Sequence, residues 1–198
     1  MNGFEKRTAE IKQRIRQATL ALLMTSEPKH LRIADIVDRA NVSQVTIYKH
    51  FENKENLIRE TIQEWYTKMM EQMETYLTGD YSFQEKLSFI LLQKKQSFEQ
   101  FPMEHLNTLL LQDTKMRAFT EKMNQEFTLP LMLALIDQGK KEGVIHHTFS
   151  PPLIMFYMNL FMEQADAFTG LADNYADKDH FINEIMQLFF YGVAGKPH

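Results

Sequence analysis

One short run, Ser43-Gln44-Val45-Thr46-Ile47-Tyr48-Lys49-His50-Phe51, holds the side chains best placed for chemistry outside the core. At helical spacing Ile47 and Phe51 lie four apart and face inward. Gln44, Thr46, Tyr48, Lys49 and His50 then fall largely on the outer side. That set is rich in hydrogen-bond donors and contains no carboxylate. Such a face suits an anionic polymer whose edges also offer acceptors. Thr46 and Tyr48, with Ser43 and the nearby Lys54 on the same side, suit phosphate oxygens. Gln44 and Lys49 suit base edges in a major groove, Gln toward adenine and Lys toward guanine, and His50 suits either.

Other chemistries find less support. His146-His147 and the spacing His180-x3-Glu184 offer metal-ligand types, but adjacent loop histidines are expected to point apart and no second cluster completes a site. Repeated Glu-x-x-His pairs, a Gly-x-Ser-x-Gly elbow, a Walker loop and a dinucleotide fingerprint are all missing from the sequence. The expectation is no enzyme, no metal and no cofactor.

The outer face needs a scaffold, and the residues before it supply one. Ile33, Ile36, Val37 and Ala40 repeat at helical spacing. Asn41 tolerates a left-handed backbone and ends that helix abruptly. Val42 plugs the space between helices, and Ser43 caps the next one. Two short helices joined by a tight turn form a helix-turn-helix, the second helix reading DNA.

The pattern Ile36-x3-Ala40-x-Val42-Ser43-x2-Thr46-Ile47-Tyr48-x2-Phe51-x2-Lys54-Glu55-x-Leu57 resembles the DNA-binding signature of the TetR (tetracycline-repressor-like) family. Thr-Ile-Tyr-x-x-Phe followed at once by Asn-Lys-Glu is its most specific part. The family usually carries Gly where Asn41 stands, Ser or Thr where Arg32 stands and a small residue where Val45 stands. Val45 is therefore a candidate for a base-methyl contact and Arg32 for an added phosphate contact. The resemblance implies a homodimeric, ligand-responsive regulator of the repressor type, released by a small apolar effector and acting on a palindromic double-stranded operator.

Composition agrees with that outline. The 198 residues are 44% hydrophobic and 24% charged, as in ordinary globular proteins. Cysteine is absent, which excludes disulfides, zinc fingers and thiol catalysis. The first ten residues are polar with mixed charge and show no signal-peptide pattern. The longest run without Lys, Arg, Asp or Glu, Gly143 to Met162, is broken by His146, His147 and Pro151-Pro152 and is too short in its apolar part to span a bilayer. A cytoplasmic protein without membrane contact is expected. Residues 1–60 hold 11 Lys and Arg against 8 Asp and Glu, while the remainder holds 11 against 18, so a basic head precedes an acidic body.

The rest of the chain reads as all-α. A first helix over 5–25 carries Ile11, Ile15, Ala18 and Leu22 and completes a three-helix head over 1–53. Asn53 caps a long helix from Lys54 to Leu77, stopped by Thr78-Gly79-Asp80, and this helix joins head and body without a flexible linker. Ser82-x-x-Glu85 is a capping box. The helix it opens ends at Phe101-Pro102, and a shorter one follows over 103–111. Another begins near Lys115 and is kinked or broken by Pro130. Ser150-Pro151-Pro152 and Asp177 open the last two helices.

All methionines except Met1 and Met24 lie beyond residue 60. Met69, Met73, Phe98, Phe101, Phe119, Met123, Phe127 and Met158 are the candidates for an apolar effector pocket in a helical ligand-binding and dimerisation domain over 54–198. The two C-terminal helices are more apolar than a small body needs, and Phe156, Leu160, Phe181, Ile185 and Phe189 are the candidate dimer contacts. The competing reading is a helical module that binds a protein partner or carries a hydrophobic ligand, with DNA contact incidental.

Overall fold

The structure is a computed structural model and describes residues 3–90, 113–164, 171, 175 and 177–191. Every regular element among the described residues is helical. The elements are α1 (Gly3–Leu23), a 3₁₀ turn at Pro28–His30, α2 (Ile33–Ala40), α3 (Gln44–Phe51) and α4 (Lys54–Leu77). A helical stretch over 83–90 follows (α5), then α6 (Thr114–Met123), α7 (Leu129–Lys141), α8 (Pro151–Glu163) and α9 (Lys178–Tyr191). Phe98, Phe101 and the helix expected over 103–111 lie outside the described residues.

Two compact units share this chain. The first takes residues up to Gln72 together with 113–124. Its core gathers Ile15 and Leu23 of α1, Ile36 and Ala40 of α2, Ile47 and Phe51 of α3, and Leu57 and Ile62 of α4. Removing this much apolar surface from water is the main force holding four short segments together. The hydroxyl of Thr19, buried among them, is satisfied by the Ile15 carbonyl at 2.8 Å. Met116 of α6 is buried in the same core, with Phe119 packed against it and in edge contact with Tyr66. Helix α6 thus belongs to the unit that carries the helix-turn-helix.

The second unit takes 73–90 and the described residues from Gln125 onward. Phe83 and Leu87 of α5, Leu135 and Ile136 of α7, Ile154 and Met158 of α8, and Met186 and Phe189 of α9 make its core. The capping box forms, with Ser82 N–H on Glu85 Oε2 at 2.8 Å and Glu85 N–H on Ser82 Oγ at 3.3 Å. Gly139 of α7 is required by close packing, because a Cβ there would lie 2.8 Å from Ile145 Cδ1 and 2.9 Å from the Phe83 ring. Buried Lys86 is held by Gln138 Oε1 at 2.8 Å.

Pro130 acts through the turn before it. Residues Asn124–Thr128 form a π turn, and α7 then starts with Pro130 in its first turn. Pro130 has no N–H to donate and its ring crowds the carbonyl four residues back, so the chain widens there instead of stopping.

Candidate nucleic-acid interface

The turn between α2 and α3 takes the geometry its residues favour. Asn41 is left-handed, with φ 50° and ψ 57°, and its N–H returns to the Val37 carbonyl. Ser43 Oγ accepts the Thr46 N–H at 3.1 Å and also meets Thr46 Oγ1 at 2.8 Å. Val42 is half-buried against the core, as a plug between the helices should be.

With Ile47 and Phe51 fully buried, α3 turns Gln44, Val45, Tyr48 and Lys49 to solvent. Val45 is 77% exposed and Tyr48 40%. Thr46 and His50 are half-buried at the margins. Burial, and then the charges of Lys12 and Lys49, push the His50 imidazole below its ordinary value. Lys12 of α1 also stands 5.4 Å above the Phe51 ring. No acidic side chain occurs along α3, so its outer face is neutral to cationic.

The end of α3 is strained. Glu52 has φ 64° and ψ −54°, and the Asn53 N–H bonds back to the Phe51 carbonyl at 2.7 Å, closing a γ-turn. Asn53 Oδ1 then accepts the Asn56 N–H at 2.7 Å and caps α4.

Residues 15–61 match the family model described as bacterial regulatory proteins, tetR family. The N-terminal segment is a tetR-family domain. Solved structures extend the likeness in fold over nearly the whole chain. The transcriptional regulator FadR from Bacillus subtilis, in complex with stearoyl-CoA, is 17% identical with a TM-score of 0.64, covering 91% of this chain and 98% of that one. A transcriptional regulator from Saccharomonospora viridis in complex with choline is 16% identical with a TM-score of 0.73, covering 92% and 97%. The fatty acid degradation regulator FadR from Bacillus halodurans is 17% identical with a TM-score of 0.66, covering 94% and 97%. Among curated protein sequences none matches.

Two residues of the tetR-family head are placed differently from the simplest expectation. Arg32 is exposed, and its guanidinium grips Asp35 through two surface bonds, at 3.0 and 2.7 Å. That hydrogen bond, and then the charge, holds the Asp35 carboxyl below and the Arg32 guanidinium above their usual values. Lys54 Nζ donates to the Leu31 carbonyl at 3.0 Å, tying the start of α4 to the loop before α2. Its charge remains, because a carbonyl does not neutralise it. In the sequence Lys12 looks like any other of the basic residues on α1 until the helices pack.

The six described pocket candidates divide between the two units. Met69, Phe119 and Met123 belong to the first unit, while Met73, Phe127 and Met158 belong to the second. Met123 and Met158 are buried and the others half-buried. The second unit has its own cleft of about 400 Å³, lined by Val144, Ile145, His146, Phe149, Leu153, Ile154, Tyr157, Phe189 and Phe190. The Tyr157 hydroxyl beside it donates to the Phe189 carbonyl at 2.9 Å.

Of the dimer candidates, Phe156 and Leu160 are exposed, at 61% and 44%, and lie with exposed Leu153 and Tyr157 on α8. Phe181 and Phe189 are buried within their own unit and Ile185 is half-buried. On α9, Leu188 is exposed at 46%.

One expectation is overturned outright. His146 and His147 do not point apart; their rings stack with centroids 4.6 Å apart. The tight turn after α7 brings them together, and Thr148 Oγ1 holds His146 Nδ1 at 2.8 Å. Even so, no group of three or more metal-ligand types occurs among the described residues. No helix among them is long and apolar enough to cross a membrane.

Proposed function

We propose that this protein is a ligand-responsive transcriptional regulator, of the repressor kind, that binds a palindromic operator as a homodimer. The observation carrying this reading is α3: a capped helix with two buried anchors and an outer face of Gln44, Val45, Tyr48 and Lys49 free of carboxylates. The match of residues 15–61 to the tetR-family model supports it. In this reading residues 1–53 are the DNA-binding domain and 54–198 the ligand-binding and dimerisation domain. Gln44 and Lys49 meet base edges, Val45 meets a thymine methyl, and Ser43, Thr46 and Tyr48 hold phosphates. Lys54 adds charge to the phosphate side from its fixed position, and His50 and Arg32 flank it.

Two heads of a dimer would enter successive major grooves about 34–36 Å apart. A small apolar effector in the body would favour a head spacing that no longer fits, with a coupling of typically ~1–3 kcal/mol. Proteins of the same fold solved with stearoyl-CoA and with choline support ligand response as a class. The place of action is the cytoplasm.

Selection of bound sequences from a random DNA pool, at fixed salt, tests the proposal. Enrichment of an inverted repeat with two short half-sites is the expected result. Enrichment of a single unrepeated site would remove the dimeric operator, and uniform recovery of all sequences would remove specific DNA recognition.

A further inference from the structure

We infer that the first unit contains a second small-molecule site, one that takes an organic anion bearing a short apolar tail. The site is a cleft of about 500 Å³ between the Pro28–Lys29 turn, the start of α4 and the start of α6. Its floor is apolar, made by Ile58, Ile62 and Met116, all buried. Its rim is mostly cationic: Lys29, Lys54, Arg59 and Lys115 stand against Glu55 and Asp113.

The charges are not all spoken for. Arg59 is paired with Asp113 at 2.8 Å, and Lys29 with Glu27 at 2.7 Å. Lys54 donates only to the neutral Leu31 carbonyl, so its charge still acts on the cleft. Lys115 is exposed at the mouth. A concave site with an excess of positive charge over a low-dielectric floor concentrates small anions. The first amides of α6 are not the recognition element, because Asp113 Oδ1 already accepts the Lys115 and Met116 N–H groups at 2.9 and 3.1 Å. The side chains must therefore recognise the ligand.

The apolar floor sets the rest of the ligand. A backbone phosphodiester of DNA has no apolar part to offer a cleft whose open lining is mostly carbon, whereas a carboxylate or phosphate monoester with a short alkyl or ring tail does. An occupant would touch Lys54, the first residue of α4, and Arg59 one turn on, just beyond the turn that ends the DNA-reading helix. Binding there bears on the head directly, separately from any effector in the body, and does not depend on the DNA-binding reading.

The test uses the full chain with methyl-labelled methionine and NMR, Met116 being assigned through Met116→Leu. Hexanoate, hexyl phosphate and hexanol are titrated in parallel. The expected result is a saturable shift of the Met116 methyl with one or both anions, which also tells carboxylate from phosphate. Hexanol should shift it far less, and Lys115→Glu should weaken the anion about tenfold while leaving the melting temperature of the free protein in place. The inference is overturned if Met116 does not respond, if hexanol does as well as the anions, or if Lys115→Glu changes nothing. A Met116 shift with random-sequence duplex DNA and with neither anion overturns it too, assigning the cations to DNA.

Discussion

Arg59 and Asp113 meet at 2.8 Å although 54 residues separate them in the chain. Each sits in the opening turns of a helix. Asp113 caps α6 with one oxygen and receives Arg59 Nε on the other. Arg59 Nη1 donates to Asn56 Oδ1 at 2.8 Å, and the Asn56 N–H is itself capped by Asn53. A line of hydrogen bonds therefore runs from the cap of α6 to the cap of α4, just beyond the end of α3.

Asp113 should be the most costly of these to remove. Asp113→Ala takes away a helix cap and leaves the Arg59 guanidinium without its partner. The expected loss is about 1–2 kcal/mol, read from urea unfolding followed by circular dichroism. The pH dependence has a definite sign. Burial raises the Asp113 carboxyl, but the Met116 N–H and Arg59 outweigh it and the net shift is downward. A depressed carboxyl contributes stability above its unfolded value, about 3.9, that is lost as pH falls through the folded value below it. The stability gap between wild type and Asp113→Asn should be constant near neutrality and close below about pH 4. A gap unchanged down to pH 2 would contradict the pairing.

Glu52 offers the opposite kind of prediction, a substitution that helps. Its φ of 64° with ψ −54° disfavours any residue with a Cβ and is costly by roughly 1–3 kcal/mol. Glycine removes that strain but adds freedom to the unfolded chain, worth about 0.4–1 kcal/mol. Glu52→Gly should therefore stabilise the protein by about 1 kcal/mol, visible as a higher melting temperature. A lower one would mean that the turn is held by the Glu52 side chain and not in spite of it.

How far the sequence reached follows from the range of the signals. The left-handed Asn41, the Ser43 and Asn53 caps, the Ser82–Glu85 box and the stop after Leu77 are all local, each decided within four residues, and each is legible from residue types alone. The buried pair Ile47 and Phe51 is equally plain, because helical period fixes the inner face. What period cannot supply is the partner of that face. The stripe of Met116, Phe119 and Met123 announces an amphipathic helix, yet the place of Met116 and Phe119 in the core with Ile15 and Ile36 is a long-range fact. The same limit hides the Lys54–Leu31 tie across 23 residues, whereas the Arg32–Asp35 grip and the His146–His147 stack are local pairs that residue types alone leave among several choices.

On α3 the two classes of contact should separate by salt and by sequence. Lys49 and Gln44 are proposed to meet bases, while Tyr48 is proposed to hold a phosphate. Gln44→Ala and Lys49→Ala should each cost about 1–3 kcal/mol on the selected operator and relax preference at single base positions. Tyr48→Ala should weaken all sequences alike. All three residues are exposed, so unfolding should change by no more than about 0.5 kcal/mol. Intact operator binding by Tyr48→Ala in a mobility-shift assay would remove its assigned role.

The exposed side of α8 carries the last prediction. Phe156, at 61% exposure, stands with Leu153, Tyr157 and Leu160 on one helix, and Leu188 adds an apolar residue on α9. Phe181 and Phe189 are already buried within their own unit, so their removal would damage the fold before any association. Leu160 and Phe156 can be changed without opening that core. If α8 forms the homodimer contact, Leu160→Lys and Phe156→Lys place a charge in a desolvated interface, which costs several kcal/mol unless it is paired. Sedimentation velocity should then show a dimer for wild type and a folded monomer for either variant, with the helical signal preserved. Operator affinity should fall with it, because a single head retains only half of the contacts. A dimer that survives both substitutions would move the interface off α8, and a wild type that is already monomeric would remove the dimeric regulator altogether.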